Sequence, residues 1–591
     1  MNFSIKLNRH AVKITARRAM FVSIVGLIAP VSTRLIAATP VKPDFGPNVQ
    51  MFDSSMPAAA IQQQIDKVYA VQQKNEFGHE RNAFLFLPGE YHVDIPVGFY
   101  TEVIGLGASP DSVKIVGNVH ADGEGKTHNA TGIFWRAVEG LAVKPTGGTM
   151  QWAVSQAAPL RRVHIQGSIA LHQQGGWVSG GWMSDSLVDG NVDAGPQQQW
   201  ISRNSEWKSW TGSNWNMVFV GVPNSPAGEW PEPAYTKVAL TPVVREKPFL
   251  AVDAHGQYAV RVPALVHGSA GITWHSGSTP GMSIPLSRFY IARPEKDTAA
   301  TINAQLAKGK NLLFTPGIYE LTEAIRVTRP NTVVIGLGYA TLRPVRGTAA
   351  MTTADIDGVI IAGLLFDAGA IESPVLLQVG PDGSKVNHAA NPISLHDIFF
   401  RVGGAGVSRV KANLTINCNN TILDHTWIWR ADHGPGVGWK NNTSANGLVV
   451  SGDDVTVYGL FVEHHQQFQV LWNGNGGRTY LYQSEIPYDA PDQVSYTSAP
   501  GTNGWASYKV ADQVKSHEAW GLGIYSVFWI PGVNLTRAVE VPKNPNVRFH
   551  DVISVSIAGT GIISNVINDA GGATSVKPRV LQRITEYPAV R

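Results

Sequence analysis

Two glutamates twenty-two residues apart, Glu463 and Glu485, stand among apolar and aromatic neighbours in the stretch FVEHHQQFQVLWNGNGGRTYLYQSEIPYD. Where strands recur at about that interval, the spacing sets both carboxyls at equivalent points of adjacent strands. Such strands lie roughly 4.8 Å apart, so the two groups cannot both ionise freely, and one keeps its proton near neutral pH. That arrangement is a ready general acid. A solvated surface role is the competing reading for any glutamate, but the flanks are apolar and only 44 acidic residues serve 591 positions.

Aromatic residues gather in the same region: Trp427 and Trp429 in HTWIWRADHG, then Trp472, Tyr482 and Tyr488. Flat rings beside carboxylates and amides suit the C–H faces and hydroxyl rims of sugars. One of Trp427 and Trp429 is expected inside the stack and the other outside, free for a ligand. The first half offers its own polar cluster, Gln197 to Gln199 followed by Trp200, Trp207, Trp210 and Trp215. An amide there can hold a water or a hydroxyl without changing charge. Gln198, Gln199 and Trp215 are the candidates, with Trp429, Tyr488 and Trp472 from the second half.

Metal chemistry finds less support. His425, His433, His464 and His465 lie close in sequence, but His464 and His465 point to opposite faces of a strand, and no HExxH or CxxC pattern is present. Asp453, Asp454, Asp489 and Asp492 read as turn residues rather than calcium ligands. The two IGLG segments lack the Lys and helix of a phosphate loop. No metal and no cofactor are expected. The lone cysteine, Cys418, excludes an intrachain disulfide, and its apolar, alternating setting reads as a buried structural thiol.

The elements that must position these groups come from a chain that repeats itself once. AAAIQQQIDKVYAVQ and NAFLFLPGEYHVDIPVGFYTEVIGLG return as AATINAQLAKG and NLLFTPGIYELTEAIRVTRPNTVVIGLG. Pro88-Gly89 matches Pro316-Gly317, Tyr91 matches Tyr319, and Gly105 and Gly107 match Gly336 and Gly338. Each opening reads as a short amphipathic helix followed by strands. Many short β-rich segments broken by Gly, Asn and Asp follow. Dense aliphatics in VVIGLG, VIIAGLLF and VTVYGLFVE favour parallel β-helices over a sandwich, each stack capped by its helix. The expected fold is all-β, two tandem right-handed parallel β-helices over residues 45–280 and 285–591.

Composition agrees, with 15% charged residues, 60 Gly and 17 Trp. Residues 1–38 read as an export signal, since five basic residues precede AMFVSIVGLIAPV and the small residues of LIAA. Losing that segment removes six basic and no acidic residues, taking the formal charge from +3 to −3. Such a chain has no basic bias toward nucleic acid. No later stretch is apolar for long enough to span a membrane. A secreted or periplasmic monomer is expected, with a polysaccharide as its partner.

YQSEIPYD, WIWRADHG, the paired openings and the QQQW segment together resemble glycoside hydrolase family 55, over nearly the whole chain beyond the signal. The resemblance implies two β-helices side by side in a rib-cage shape and exo-acting, inverting hydrolysis of β-1,3-glucan such as laminarin. It gives Glu485 the role of general acid and makes Glu463 the acidic partner that raises its pKa. Trp429 and Tyr488 correspond to sugar contacts. A Gln and a Ser of the first β-helix would hold the attacking water, with Gln198 the candidate Gln. Where the Ser is expected, near NMVFVG, the chain has Val220, and the nearest serines are Ser213 and Ser225. The alternatives are a β-helix polysaccharide lyase and a non-catalytic carbohydrate-binding β-helix.

Overall fold

The computed structural model describes residues 43–589, so the expected signal at 1–38 lies outside the described residues. Within them the chain forms two parallel β-helices. The first stacks strands from Val49–Phe52 to Tyr235–Val238 in sheets of nine and eight strands, and the second begins at Phe289–Ala292 and builds sheets of twelve and eight. Every long strand of the second stack pairs in parallel with the strand one coil on, except the last, Gln582–Tyr587, which runs antiparallel. Coil length varies because loops of different size leave the sheets: Glu463 pairs with Glu485, whereas Gly477 pairs with His517, forty residues on.

Each opening helix packs apolar residues on its own stack, Ile61 and Ile65 from Ala58–Gln72 and Ile302 and Leu306 from Ala299–Ala307, and Thr298 with Thr301 forms a capping box on the second. The repeated landmarks do repeated work. Tyr91 donates to the carbonyls of Phe52 and Leu87, and Tyr319 donates to those of Ala292 and Thr315. Gly89 and Gly317 hold φ of 153° and 154°, where a Cβ would strike Ser54 and Pro294.

Residues 241–285 are not coils. They form two small antiparallel sheets, Thr241–Arg245 with Leu265–Ser269, and Phe249–Val252, Tyr258–Pro263 and Gly281–Pro285. Leu250, Val260 and Val262 pack with Leu85 of the first stack and Val333 and Ile335 of the second. Each stack has its own aliphatic interior. Between them lies an aromatic layer that includes Trp135, Trp182, Trp427, Trp429, Tyr458 and Phe461.

A buried ionic network crosses the same layer. Arg161 holds Asp397 through two bonds of 2.8 and 2.9 Å and reaches Asp424 at 2.8 Å. Arg203 joins Asp424 to Glu246, and Lys247 joins Glu139 and Asp397. Ions so far from water persist only when mutually paired.

Candidate active site

The strands Thr456–Glu463 and Gly477–Glu485 end side by side, and their register pairs Glu463 with Glu485. Both carboxyls line a cavity of about 550 Å³. Glu463 is buried, its Oε1 accepting from Gln156 Nε2 at 3.0 Å and its Oε2 from the Trp427 indole at 2.8 Å. Glu485 stands nearer solvent, its side chain 15% exposed, with His464 Nε2 3.9 Å away. Tyr488 donates its hydroxyl to Glu485.

Burial pushes both carboxyls above the usual carboxylate range. Glu463 is pushed further, since the charge of Glu485 adds to its complete burial, against the indole of Trp427. The nearby charge of His464 and the Tyr488 hydroxyl pull Glu485 back only in part. The two carboxyls therefore titrate as a pair that retains a proton beyond the range of an ordinary glutamate.

The wall across from this pair comes from the first β-helix. Gln156 and Ser179 line the cavity, and Ser179 Oγ donates to Gln156 Oε1 at 3.4 Å. Gln156 sits at φ +33°, a conformation L-residues rarely adopt and one that clusters at functional sites. Its carbonyl lies 3.2 Å from His425 Nε2, and His425 Nδ1 lies 2.8 Å from Asp397. The ionic network thus reaches the cavity through one histidine.

At the cavity's edge, His433 bridges Asp432 at 2.8 Å and Glu76 of the first stack at 2.6 Å. Hydrogen bonds to Asp432 and Glu76 push its pKa up to about 10, so it is a cation at neutral pH. Burial works to raise Asp432, but the His433 hydrogen bond prevails and holds it at about 2. Phe77 stacks near Trp429 with centroids 6.3 Å apart. Arg430 grips Asp489 through two bonds of 2.8 and 2.7 Å, anchoring the loop that carries Tyr488.

Of the residues proposed from sequence, Glu463, Glu485, Gln198, Trp429 and Tyr488 line this cavity. Gln198 Oε1 is buried without a hydrogen-bonding partner in the protein. Three others lie elsewhere. Trp472 follows Val470 by two residues, so both point into the interior of the second stack, where Trp472 meets His517. Trp215 is buried on Tyr525 with ring centroids 4.6 Å apart. Gln199 donates to the Ser179 carbonyl and accepts from the Tyr525 hydroxyl, a supporting role.

The expectation for the tryptophan pair is also corrected. Trp427 and Trp429 share one outward face, 4.9 Å apart, while Ile428 between them enters the core. Residues two apart on a strand point the same way. Val220 belongs to the aromatic layer, and Ser213 accepts from the Ala234 amide. The serine at the cavity is Ser179. Sequence reasoning missed Ser179 and Gln156 because the contact between Gln156 and Glu463 spans 307 residues. The glutamine run that the sequence singled out does adjoin them, since Gln197 and Gln199 brace Gly180 and Ser179.

Known proteins match along most of the chain. Residues 289–485 match the family described as LAM55 pectate lyase-like domain. An exo-beta-1,3-glucanase of Streptomyces sp. (strain SirexAA-E / ActE) is 46% identical over 548 residues, 92% of this chain and 90% of that protein. The structure of sacteLam55A from Streptomyces sp. SirexAA-E superposes with a TM-score of 0.90 at 45% identity, covering 92% of this chain and 99% of that one. A glutamate-to-alanine variant of it in complex with glucose gives the same TM-score of 0.90 at 45% identity, covering 93% and 99%.

Proposed function

This chain belongs to glycoside hydrolase family 55, and from that premise we propose that it is an exo-acting β-1,3-glucanase with Glu485 as its general acid. One observation carries the reading: Glu463 and Glu485 are adjacent in register at a cavity whose far wall is Gln156 and Ser179. Both oxygens of Glu463 accept from N–H donors, Gln156 Nε2 and the Trp427 indole, which favours its ionised form and leaves the pair's proton to Glu485. Glu485 is the more exposed of the two and so the one able to hand that proton to a glycosidic oxygen in the cavity. That proton leaves with the departing sugar's hydroxyl.

The two glutamates project from one sheet, so neither stands across the sugar from the other. The attacking water therefore falls to the opposite wall, held by Gln156 and Ser179, with Glu463 fixing the Gln156 amide and stabilising the positive charge that develops on the sugar as the bond breaks. The water bonds to the anomeric carbon with inversion and sheds its proton to cavity water, from which Glu485 is protonated again. Trp427 and Trp429 offer the aromatic wall for the sugar ring. The His433–Glu76 bridge and the Phe77–Trp429 stack narrow one side, which suits a chain end over a chain middle and supports release of glucose or short units.

The test is to incubate the protein and Glu485→Gln with laminarin and other β-glucans, following products by chromatography and the anomeric configuration by NMR. Losing general acid catalysis lowers turnover of natural linkages by about 10²–10⁴-fold. Full activity in Glu485→Gln would remove it as the acid. A retained anomer would instead make Glu463 a nucleophile. We also propose export of the chain with residues 1–38 as its signal, to the periplasm or medium, and action as a monomer. N-terminal sequencing of the exported protein and light scattering check these.

A further inference from the structure

We infer that Asp355, His388 and Cys418, none of which lines the cavity of Glu463 and Glu485, form a metal site of the zinc class that staples three successive coils of the second β-helix. The side-chain atoms that would ligate, one from each residue, all lie within 4.8 Å of one another. Asp355 Oδ1 is 2.8 Å from His388 Nε2 and 3.4 Å from Cys418 Sγ. In a regular tetrahedron with ordinary zinc bond lengths the corresponding separations are about 3.3 Å and about 3.5 Å. The oxygen–sulfur pair is thus already placed, and the oxygen–nitrogen pair needs to open by about half an ångström.

The topology explains why these three meet. Strands Met351–Thr353, Ser373–Val379 and Val410–Ile416 are consecutive neighbours in one sheet. Asp355 follows the end of the first by two residues, Cys418 follows the end of the third by two, and His388 comes from the loop after the middle strand. Equivalent loop positions of stacked coils fall above one another, so the ligands converge without any special fold.

Supporting contacts orient each ligand as they do around bound metals. His388 Nδ1 is 2.7 Å from Asp357 Oδ1, which directs Nε2 toward the cluster. Asp355 Oδ2 accepts from the amides of Lys385 at 3.0 Å and Val386 at 3.2 Å, leaving Oδ1 for a metal. The Ser384 hydroxyl stands 4.0 Å from Cys418 Sγ, where a fourth ligand or a water fits. His388 is fully buried, while the Asp355 side chain is 18% exposed and provides the way in. Thiol, imidazole and carboxylate together select zinc or a metal like it over calcium or magnesium. Binding replaces the hydrogen at Cys418 Sγ and any at His388 Nε2, and those protons go to solvent.

The experiment uses the full chain, stripped with chelator and then given one equivalent of zinc or cobalt(II). The site predicts one zinc per chain surviving dialysis, a thiolate charge-transfer band with cobalt, and a higher melting temperature with zinc than without. Cys418→Ala should lose the band and the zinc-dependent rise in melting temperature. Laminarin hydrolysis should not change on metal removal at room temperature, so failure here and failure of the catalytic reading are separate results. Zinc well below one per chain, or a cobalt spectrum unaffected by Cys418→Ala, would overturn the inference.

Discussion

At the scale of single residues, the site depends on keeping a proton where an ordinary carboxyl would lose it. Burial raises both Glu463 and Glu485, and the charge of Glu485 raises Glu463 further; two carboxyls this close cannot both ionise freely. With Glu485 proposed as the general acid, the protonated form is the one that turns over, so kcat/KM should fall as pH rises through the raised pKa of the pair. Glu463→Gln removes the like charge beside the acid. The alkaline limb of the pH–rate profile should then move to lower pH, in addition to any drop in rate. A limb that stays in place, read from kcat/KM across pH, would show that Glu463 does not tune Glu485. On the opposite wall, Ser179→Ala should lower kcat with KM little changed, because the water proposed to sit there matters to the transition state more than to the bound sugar. An equal rise in KM alone would make Ser179 a sugar contact.

The elements carry the precision. Ser179 is held by its neighbours as much as by its own contacts: Gly180, at φ +112°, donates its amide to Gln197 Oε1 at 2.8 Å. A Cβ there would lie 3.0 Å from Gln199 Nε2 and from Phe461 of the second stack. Gly180→Ala should destabilise the protein by about 1–3 kcal/mol and cut kcat more than it changes KM, measured by thermal melting beside steady-state kinetics. A variant that melts lower but turns over normally would mean Ser179 tolerates displacement. The coils were legible in sequence because strand periodicity and the twenty-two-residue spacing are local signals, and the glutamate pair inherits that legibility. Trp472 and Trp215 were not legible as core, since an aromatic residue in a β-rich run reads alike whether it fills a stack or faces a ligand. Gln156 and Ser179 stayed hidden for a different reason. Gln156 meets Glu463 and His425 of the other β-helix, and Ser179 is held beside Gln156; nothing in a single sequence records which loops of two stacks face each other.

At the scale of the molecule, that facing is fixed by buried charge as well as by aromatic packing. Burial alone would raise Asp397, yet Arg161 and Lys247 hold it well below its ordinary value. A carboxyl depressed in the folded state adds stability above the unfolded pKa, and that stability is lost as pH falls toward the folded value. Below about pH 4 the unfolded chain gains protons that Asp397 and Asp424 resist, so acid should loosen the junction between the stacks. The tryptophans concentrated there make their fluorescence the natural probe. Arg161→Met strands Asp397 and Asp424 with fewer counter-charges, which for a buried pair costs about 3–5 kcal/mol. Its melting temperature should fall at neutral pH, and laminarin hydrolysis should weaken with it, because Asp397 orients His425 and His425 meets the Gln156 carbonyl. At about pH 3.5, where the unfolded chain already takes up protons that the wild-type network refuses, the wild type has lost part of the stability its ionised aspartates supply, and the gap in stability between the two proteins should narrow. A gap that is constant from pH 7 to pH 3.5 would mean that aromatic packing alone joins the two β-helices and that the charges merely accompany it.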